Sequence, residues 1–194
     1  MTTTKKTYRT IGATAAAAIG LALLTGCGGE SAALPQGWDK LDTRSLSVGY
    51  PGDKGYKEQP AADRAKTNAA VALKEEGGLR TGMVSVQLDF ATGVDSAAEA
   101  ASAAGAGIGL GATRKETEEV RLAGAESARE ARRIDYEFTS SGEDRTPAQG
   151  TRMTGVVVAG VDSKDVPFAV RINAVKGSLS AQDLDAFVDS ITVK

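Results

Sequence analysis

The chain has 194 residues, with 23 Lys and Arg against 25 Asp and Glu, one cysteine and no histidine. That length suits a single domain with a sizeable core. The missing imidazole excludes Ser-His-Asp and Cys-His nucleophiles and His-ligated zinc, and the single cysteine excludes an intramolecular disulfide. The net charge is −2; the first 26 residues carry Lys5, Lys6 and Arg9 and no acid, which leaves −5 from Cys27 onward. An acidic body lacks the clustered cations that a nucleic-acid footprint needs.

The N-terminus reads as a secretory signal peptide over residues 1–26: a basic start, KKTYR, then the apolar run IGATAAAAIGLALL, then small residues. The apolar run is shorter than the roughly 20 residues a membrane-spanning helix needs. Leu24-Thr25-Gly26-Cys27 resembles the lipobox of bacterial lipoproteins: an aliphatic residue, two small residues, then cysteine. The resemblance implies cleavage between Gly26 and Cys27, a diacylglyceryl group on the Cys27 sulfur, and palmitate-type chains holding the protein on the extracytoplasmic face of the cell membrane. Two or three acyl chains anchor firmly where one does so only marginally. Residues 27–37 read as the lipidated N-terminus and a Gly- and Pro-punctuated tether, and residues 38–194 as one globular domain.

Within that domain strand signals dominate. In RSLSVGYP, Leu46, Val48 and Tyr50 alternate with small or polar residues. AAVALK and MVSVQLDF flank EEGG as a hairpin, with Val84, Val86, Leu88 and Phe90 on one face. SAAEAASAAGAGI opens with Ser96-x-x-Glu99, a capping-box start for an alanine-rich helix that its glycines end. EEVRL (118–122) is a short strand candidate, and ARRIDYEF alternates through Ile134, Tyr136 and Phe138. GTRMTGVVVAG and VPFAVRINAV flank VDSKD as a second hairpin. The last helix starts at Ser180, with Asp183 in its first turn and an apolar stripe of Leu184, Phe187, Val188 and Ile191. Hairpin-length connections favour antiparallel pairing. The expected class is α+β: a largely antiparallel sheet of about six to seven strands with helices packed on it.

Three stretches then resemble a known fold: SLSVGYP with its closing Tyr50-Pro51, the Ala/Glu-rich DSAAEAASAA after the first hairpin, and LDAFVDSITV with Asp189, Ser190 and Ile191. Together they resemble the PsbP-like fold of DcrB-type and LpqN-type lipoproteins, over most of residues 38–194. Such proteins often carry Trp shortly after Tyr-Pro; here the aromatic is Tyr56. The Ala/Gly-rich composition with a lipobox resembles actinobacterial lipoproteins. The resemblance implies an assembly, accessory or envelope role and supplies no catalytic residues.

The remaining motifs yield little chemistry. Gly107-x-Gly109-x-x-Ala112 matches a dinucleotide fingerprint only superficially, because its glycines follow a helix and do not precede one. Glu116, Glu118 and Glu119 read as a charged strand edge, and Asp162 and Asp165 as turn residues. No Gly-x-Ser-x-Gly elbow or Ser-x-x-Lys dyad occurs. Arg129, Arg132 and Arg133 form the densest basic cluster; Arg129 and Arg133 face anionic headgroups or an acidic partner, or else a solvated face balanced by Glu130 and Asp135. Tyr56 is a recognition aromatic if the YPGDKGY loop leaves it exposed, and a packing residue otherwise. Tyr56, Arg129 and Arg133 are therefore the candidate interaction surface, with no catalytic, cofactor or metal residues assigned. The expected function is a non-enzymatic envelope lipoprotein that binds a protein or cell-wall component. A carrier holding a small or lipidic ligand between sheet and helix is the second reading, and a carboxylate-dependent envelope hydrolase the third.

Overall fold

The computed structural model describes residues 31–109, 111–128 and 130–194; Gly26, Cys27 and Arg129 lie outside them. In chain order the elements are β1 (Trp38–Asp42), β2 (Leu46–Pro51), β3 (Tyr56–Glu58), β4 (Ala70–Glu76), β5 (Leu79–Leu88), α1 (Ala97–Ala106), β6 (Thr113–Arg121), β7 (Ala123–Gly124), β8 (Glu130–Thr139), β9 (Arg152–Val161), β10 (Pro167–Val175), α2 (Ala181–Asp189) and β11 (Thr192–Val193). They build a mixed α+β protein. Seven strands form an antiparallel sheet in the order β3-β4-β5-β10-β9-β8-β6, and a separate four-stranded sheet runs β1-β2-β11-β7. The second sheet was not anticipated from sequence. Its only parallel pair joins the two-residue strands β11 and β7.

Local chemistry explains both hairpins. β4 and β5 are joined through Gly77 and Gly78, both at positive φ (60° and 79°), the conformation a two-residue type I′ turn requires. Between β9 and β10 the Asp162 carboxylate takes over as turn organiser. Its Oδ1 accepts from the backbone N–H of Lys164 (2.8 Å) and Val166 (2.9 Å). The chain leaves β5 at Asp89, which sits at positive φ (52°) and donates its N–H to the Pro167 carbonyl. That reversal moves Phe90 to the face opposite Val84 and Val86, where it packs beside α1; the expected common face ends at Leu88.

The period-2 alternation of the long strands loads both faces of the seven-stranded sheet. On one face Val84, Val86, Val156, Val158, Phe168, Val170 and Ile172 meet Leu41, Leu46, Val48 and Val193 of the small sheet and Phe187 and Val188 of α2. Phe187 is fully buried, with its ring centroid 4.8 Å from that of Trp38 and 6.0 Å from that of Tyr56. α2 starts at the expected Ser180 cap, and the pair closes into a full capping box: the Ser180 hydroxyl accepts from the Asp183 N–H (3.1 Å), and the Asp183 carboxylate accepts from the Ser180 N–H (3.0 Å). On the opposite face of the large sheet, α1 lays Ala100, Ala101 and Ala104 on Ile134, Tyr136, Val157, Ala159 and Ala169.

β2 is buried on both of its faces. Leu34, Trp38 and Ser190 crowd the space where Gly49 lacks a side chain, and the Ser190 hydroxyl accepts from the Gly49 N–H (2.9 Å). Residues ahead of β1 therefore rest on the small sheet. The Ala32 N–H donates to Thr192 Oγ1 (3.0 Å), and the Trp38 N–H donates to the Pro35 carbonyl (3.2 Å).

Asp162 is only 5% exposed. Burial works to raise its carboxyl pKa, but the hydrogen bonds it accepts outweigh burial and hold it below the ordinary value of 3.8. A depressed folded pKa means stability that is fully present above the ordinary value and lost as pH falls through the folded one. Asp162→Ala is expected to cost about 2 kcal/mol at pH 7, as loss of charge-assisted hydrogen bonds does. The gap from wild type narrows on acidification well below pH 3.8. Urea unfolding of both proteins across pH measures it.

Candidate ligand groove

Of the residues proposed from sequence as an interaction surface, Tyr56 and Arg133 are both taken up inside the fold. Tyr56 is 2% exposed: β3 pairs with β4, and the ring turns inward over Gly82 to meet Phe187 edge-on. Burial pushes its phenol pKa far above the ordinary value. It is a packing residue, and the exposed-loop reading is corrected. The Arg133 side chain is 13% exposed and enclosed by carboxylates. Its guanidinium donates to Asp185 of α2 (2.7 Å) and to Asp135 (3.1 Å), and it lies 3.6 Å from Glu118 of β6. Burial alone would lower its pKa, but the bonds to Asp185 and Asp135 outweigh it and hold the guanidinium above the ordinary Arg value. It lines a cleft of about 840 Å³ with Ala32, Ala33, Val188 and Asp189. With three acids on one cation, that cleft is not the basic patch that anionic headgroups would seek. Arg132 is paired with Glu119 (2.7 Å). Arg129 lies outside the described residues.

A different site emerges on the α1 face of the large sheet. Register places Tyr136 of β8, Gly155 of β9 and Asn173 of β10 side by side. Gly155 has no side chain to intervene, so the Tyr136 hydroxyl reaches across it and donates to Asn173 Oδ1. A Cβ on Gly155 would lie inside contact distance of the Tyr136 ring and 2.6 Å from Asn173 Oδ1. Burial pushes the Tyr136 phenol above its ordinary pKa against the opposing pull of nearby Arg171, so the group remains a neutral donor. Phe138, two residues on, stacks with Tyr136 at 5.7 Å between centroids.

The end of α1 closes one side of this site. Arg114 of β6 donates to the Gly105 carbonyl (2.6 Å), and Arg171 of β10 donates to the Ala104 carbonyl (3.3 Å). Both carbonyls already accept a backbone N–H, Gly107 to Ala104 and Ile108 to Gly105 (3.1 Å each), so the guanidiniums add a second donor and place positive charge at the negative end of the helix dipole. The glycine-rich stretch follows from that packing. A Cβ at Gly105 would meet the Arg114 guanidinium at 3.0 Å, and one at Gly107 would meet that of Arg171 at 3.3 Å. Gly107 and Gly109 come after a helix, an arrangement no dinucleotide site uses.

Two hollows open here. One, of about 450 Å³, is lined by Gln87, Ile108, Tyr136, Phe138, Arg171 and Asn173. The next, of about 350 Å³, has Leu73, Met83, Pro147 and Met153 in its walls and shares Phe138 and Asn173 with the first. The result is one groove with a polar end and a mainly apolar end, whose wall also includes Arg80, paired with Glu75 (4.0 Å). None of its polar residues was singled out from sequence. A signal was present: Arg171 and Asn173 are alternating polar positions in the otherwise apolar VPFAVRINAV.

The chain matches no family model and no curated protein. Among solved structures, a crystal structure from Bacteroides thetaiotaomicron is similar at 11% identity with a TM-score of 0.42. The match covers 77% of this chain and 45% of that one, so this chain spans less than half the length of its neighbour.

Gly155→Ala tests the floor of the groove. Stiffening the unfolded chain gains about 0.4–1 kcal/mol, while overpacking costs about 1–3 kcal/mol, so net destabilisation is expected in urea titration. Tyr136→Phe, which removes only the hydroxyl, is expected to cost about 1 kcal/mol.

Proposed function

We propose that this chain is a lipid-anchored extracytoplasmic protein whose PsbP-like domain has a non-enzymatic binding or accessory role in the cell envelope, with an envelope protein or cell-wall component as partner. The Leu24-Thr25-Gly26-Cys27 run behind a basic start and a short apolar segment supports the anchor. The PsbP-like reading is supported by an antiparallel sheet lying between α1 and α2, and by the Asp189-Ser190-Ile191 close of the last helix. Among the described residues no helix is long and apolar enough to cross a membrane.

The observation that carries the reading is the seat of the N-terminal segment. Ala32 is bonded to Thr192, so four residues separate Cys27 from the folded body, a reach of at most about 18 Å. Acyl chains on Cys27 hold the small-sheet side near the bilayer, and the α1 groove opens on the other face of the large sheet. The carrier reading is the second, and the groove between sheet and helix end favours it. A hydrolase would need convergent carboxyls free to act; Glu118, Asp135 and Asp185 converge, but as ion-pair partners of Arg133.

Metabolic labelling with an alkyne analogue of palmitate tests the anchor. Wild-type full-length protein is expected to carry the label, with its first peptide beginning at Cys27, and Cys27→Ala to carry none. An unlabelled wild type, or a label that survives Cys27→Ala, refutes the anchor.

A further inference from the structure

We infer that the groove beside α1 binds an amphipathic carboxylate, with its head on Arg171 and its hydrocarbon body running past Phe138 into the hollow of Leu73, Met83, Pro147 and Met153. This rests on the carrier reading and adds the chemistry of the ligand.

Charge supplies the first reason. Arg171 is half-buried and is the one charged residue lining the polar hollow. Among the described residues no carboxylate lies within ion-pair distance of it, whereas Arg133, also half-buried, has three. A partly desolvated cation without a counter-charge favours an anion brought from outside.

Geometry supplies the second. A guanidinium has five N–H donors in a fixed fork that matches a carboxylate. The bond to the Ala104 carbonyl, at 3.3 Å, and one to the neutral Tyr136 hydroxyl engage part of the fork and leave the other N–H groups for a ligand. Helix capping does not account for the whole arrangement, since Arg114 already holds the neighbouring carbonyl at 2.6 Å. Asn173 stands two residues along the same strand face, about 6.6 Å away in rise. Its oxygen is engaged by Tyr136, and among the described residues no protein acceptor takes its NH₂ group. A neutral amide donor therefore stands beside the cation, as a carboxylate with two oxygens requires. One guanidinium suits a monoanion better than a phosphate dianion.

Shape supplies the third. Phe138 and Asn173 belong to both hollows, so the apolar space begins where the polar space ends. Each hollow lies within the range of small-molecule sites, roughly 300–1,000 Å³. Met83 and Met153 are adaptable walls for a flexible chain.

The test uses the full-length lipidated protein in lipid nanodiscs and a diazirine-bearing decanoic acid as photoreactive probe, with crosslinked peptides mapped by mass spectrometry. Saturable labelling of the Phe138 and Met153 segments is expected. Decanoate should compete about tenfold better than decanol, a difference of about 1.4 kcal/mol. Arg171→Gln should weaken labelling by a similar factor, and Lys164→Gln should leave it unchanged. The decanol comparison needs no variant, so it stands even if Arg171→Gln fails to fold. Equal competition by decanol and decanoate overturns the carboxylate and leaves the carrier reading; labelling that does not saturate, or that falls outside the groove, overturns both. Neither result bears on the Cys27 label, which reports the anchor alone.

Discussion

The constraint on which this structure depends is that a long seven-stranded sheet must cover two faces with unequal material. One face receives a second sheet, a helix and most of the large apolar side chains. The other receives α1 and a few apolar side chains of the segments flanking it, among them Phe90, Val94 and Ile108. A ten-residue helix is about 15 Å long, while the ten-residue strands β8 and β9 extend about 33 Å. Alanines on α1 and the small residues Ala159 and Ala169 beneath it allow close contact where the helix lies. Beyond its last turn the sheet is left without a helix above it, and Phe138, Arg171 and Asn173 occupy that stretch. The groove is thus a product of element lengths, and its polarity follows from the residues that the strands present there.

Charge is divided between the two sides in a corresponding way. On the side carrying the N-terminal segment, the buried guanidinium of Arg133 is matched by acids from three separate elements: β6, its own strand β8, and α2. Such a cluster ties α2 to the edge of the large sheet, and its cation has little left to offer a partner. On the α1 side the two guanidiniums, Arg114 and Arg171, meet backbone carbonyls of the helix end, and Arg171 also meets the neutral Tyr136 hydroxyl. Those carbonyls carry a fraction of a charge, so the compensation there is incomplete. The same residue type therefore does opposite work on the two faces, and the difference lies in what stands opposite.

Elements with local signals were legible in the sequence. Gly77-Gly78 marked one hairpin, Ser96 and Ser180 marked two helix starts, and the alternation of the long strands placed their core faces. The short strands β1, β3, β7 and β11 were not, because strands of two to five residues gain their identity from partners distant in the chain. The same distance hid the candidate surface's fate. Tyr56 is buried by Phe187, more than a hundred residues later, and Arg133 is claimed by Asp185, 52 residues away. Phe90 was misplaced for a local reason: one aspartate at positive φ reverses the strand's parity. The groove was legible only in part. Arg171 and Asn173 stand out as polar positions in an apolar strand, but their meeting with Tyr136 depends on the register of three strands.

That meeting has a consequence for inheritance. Tyr136, Gly155 and Asn173 belong to three strands and occupy a single row, in which the middle position is empty so that the outer two can touch. None of the three can drift alone without opening a void or forcing a clash. Descendants of this chain should therefore change them together or not at all, and the row should read in a set of diverged sequences as one three-letter word.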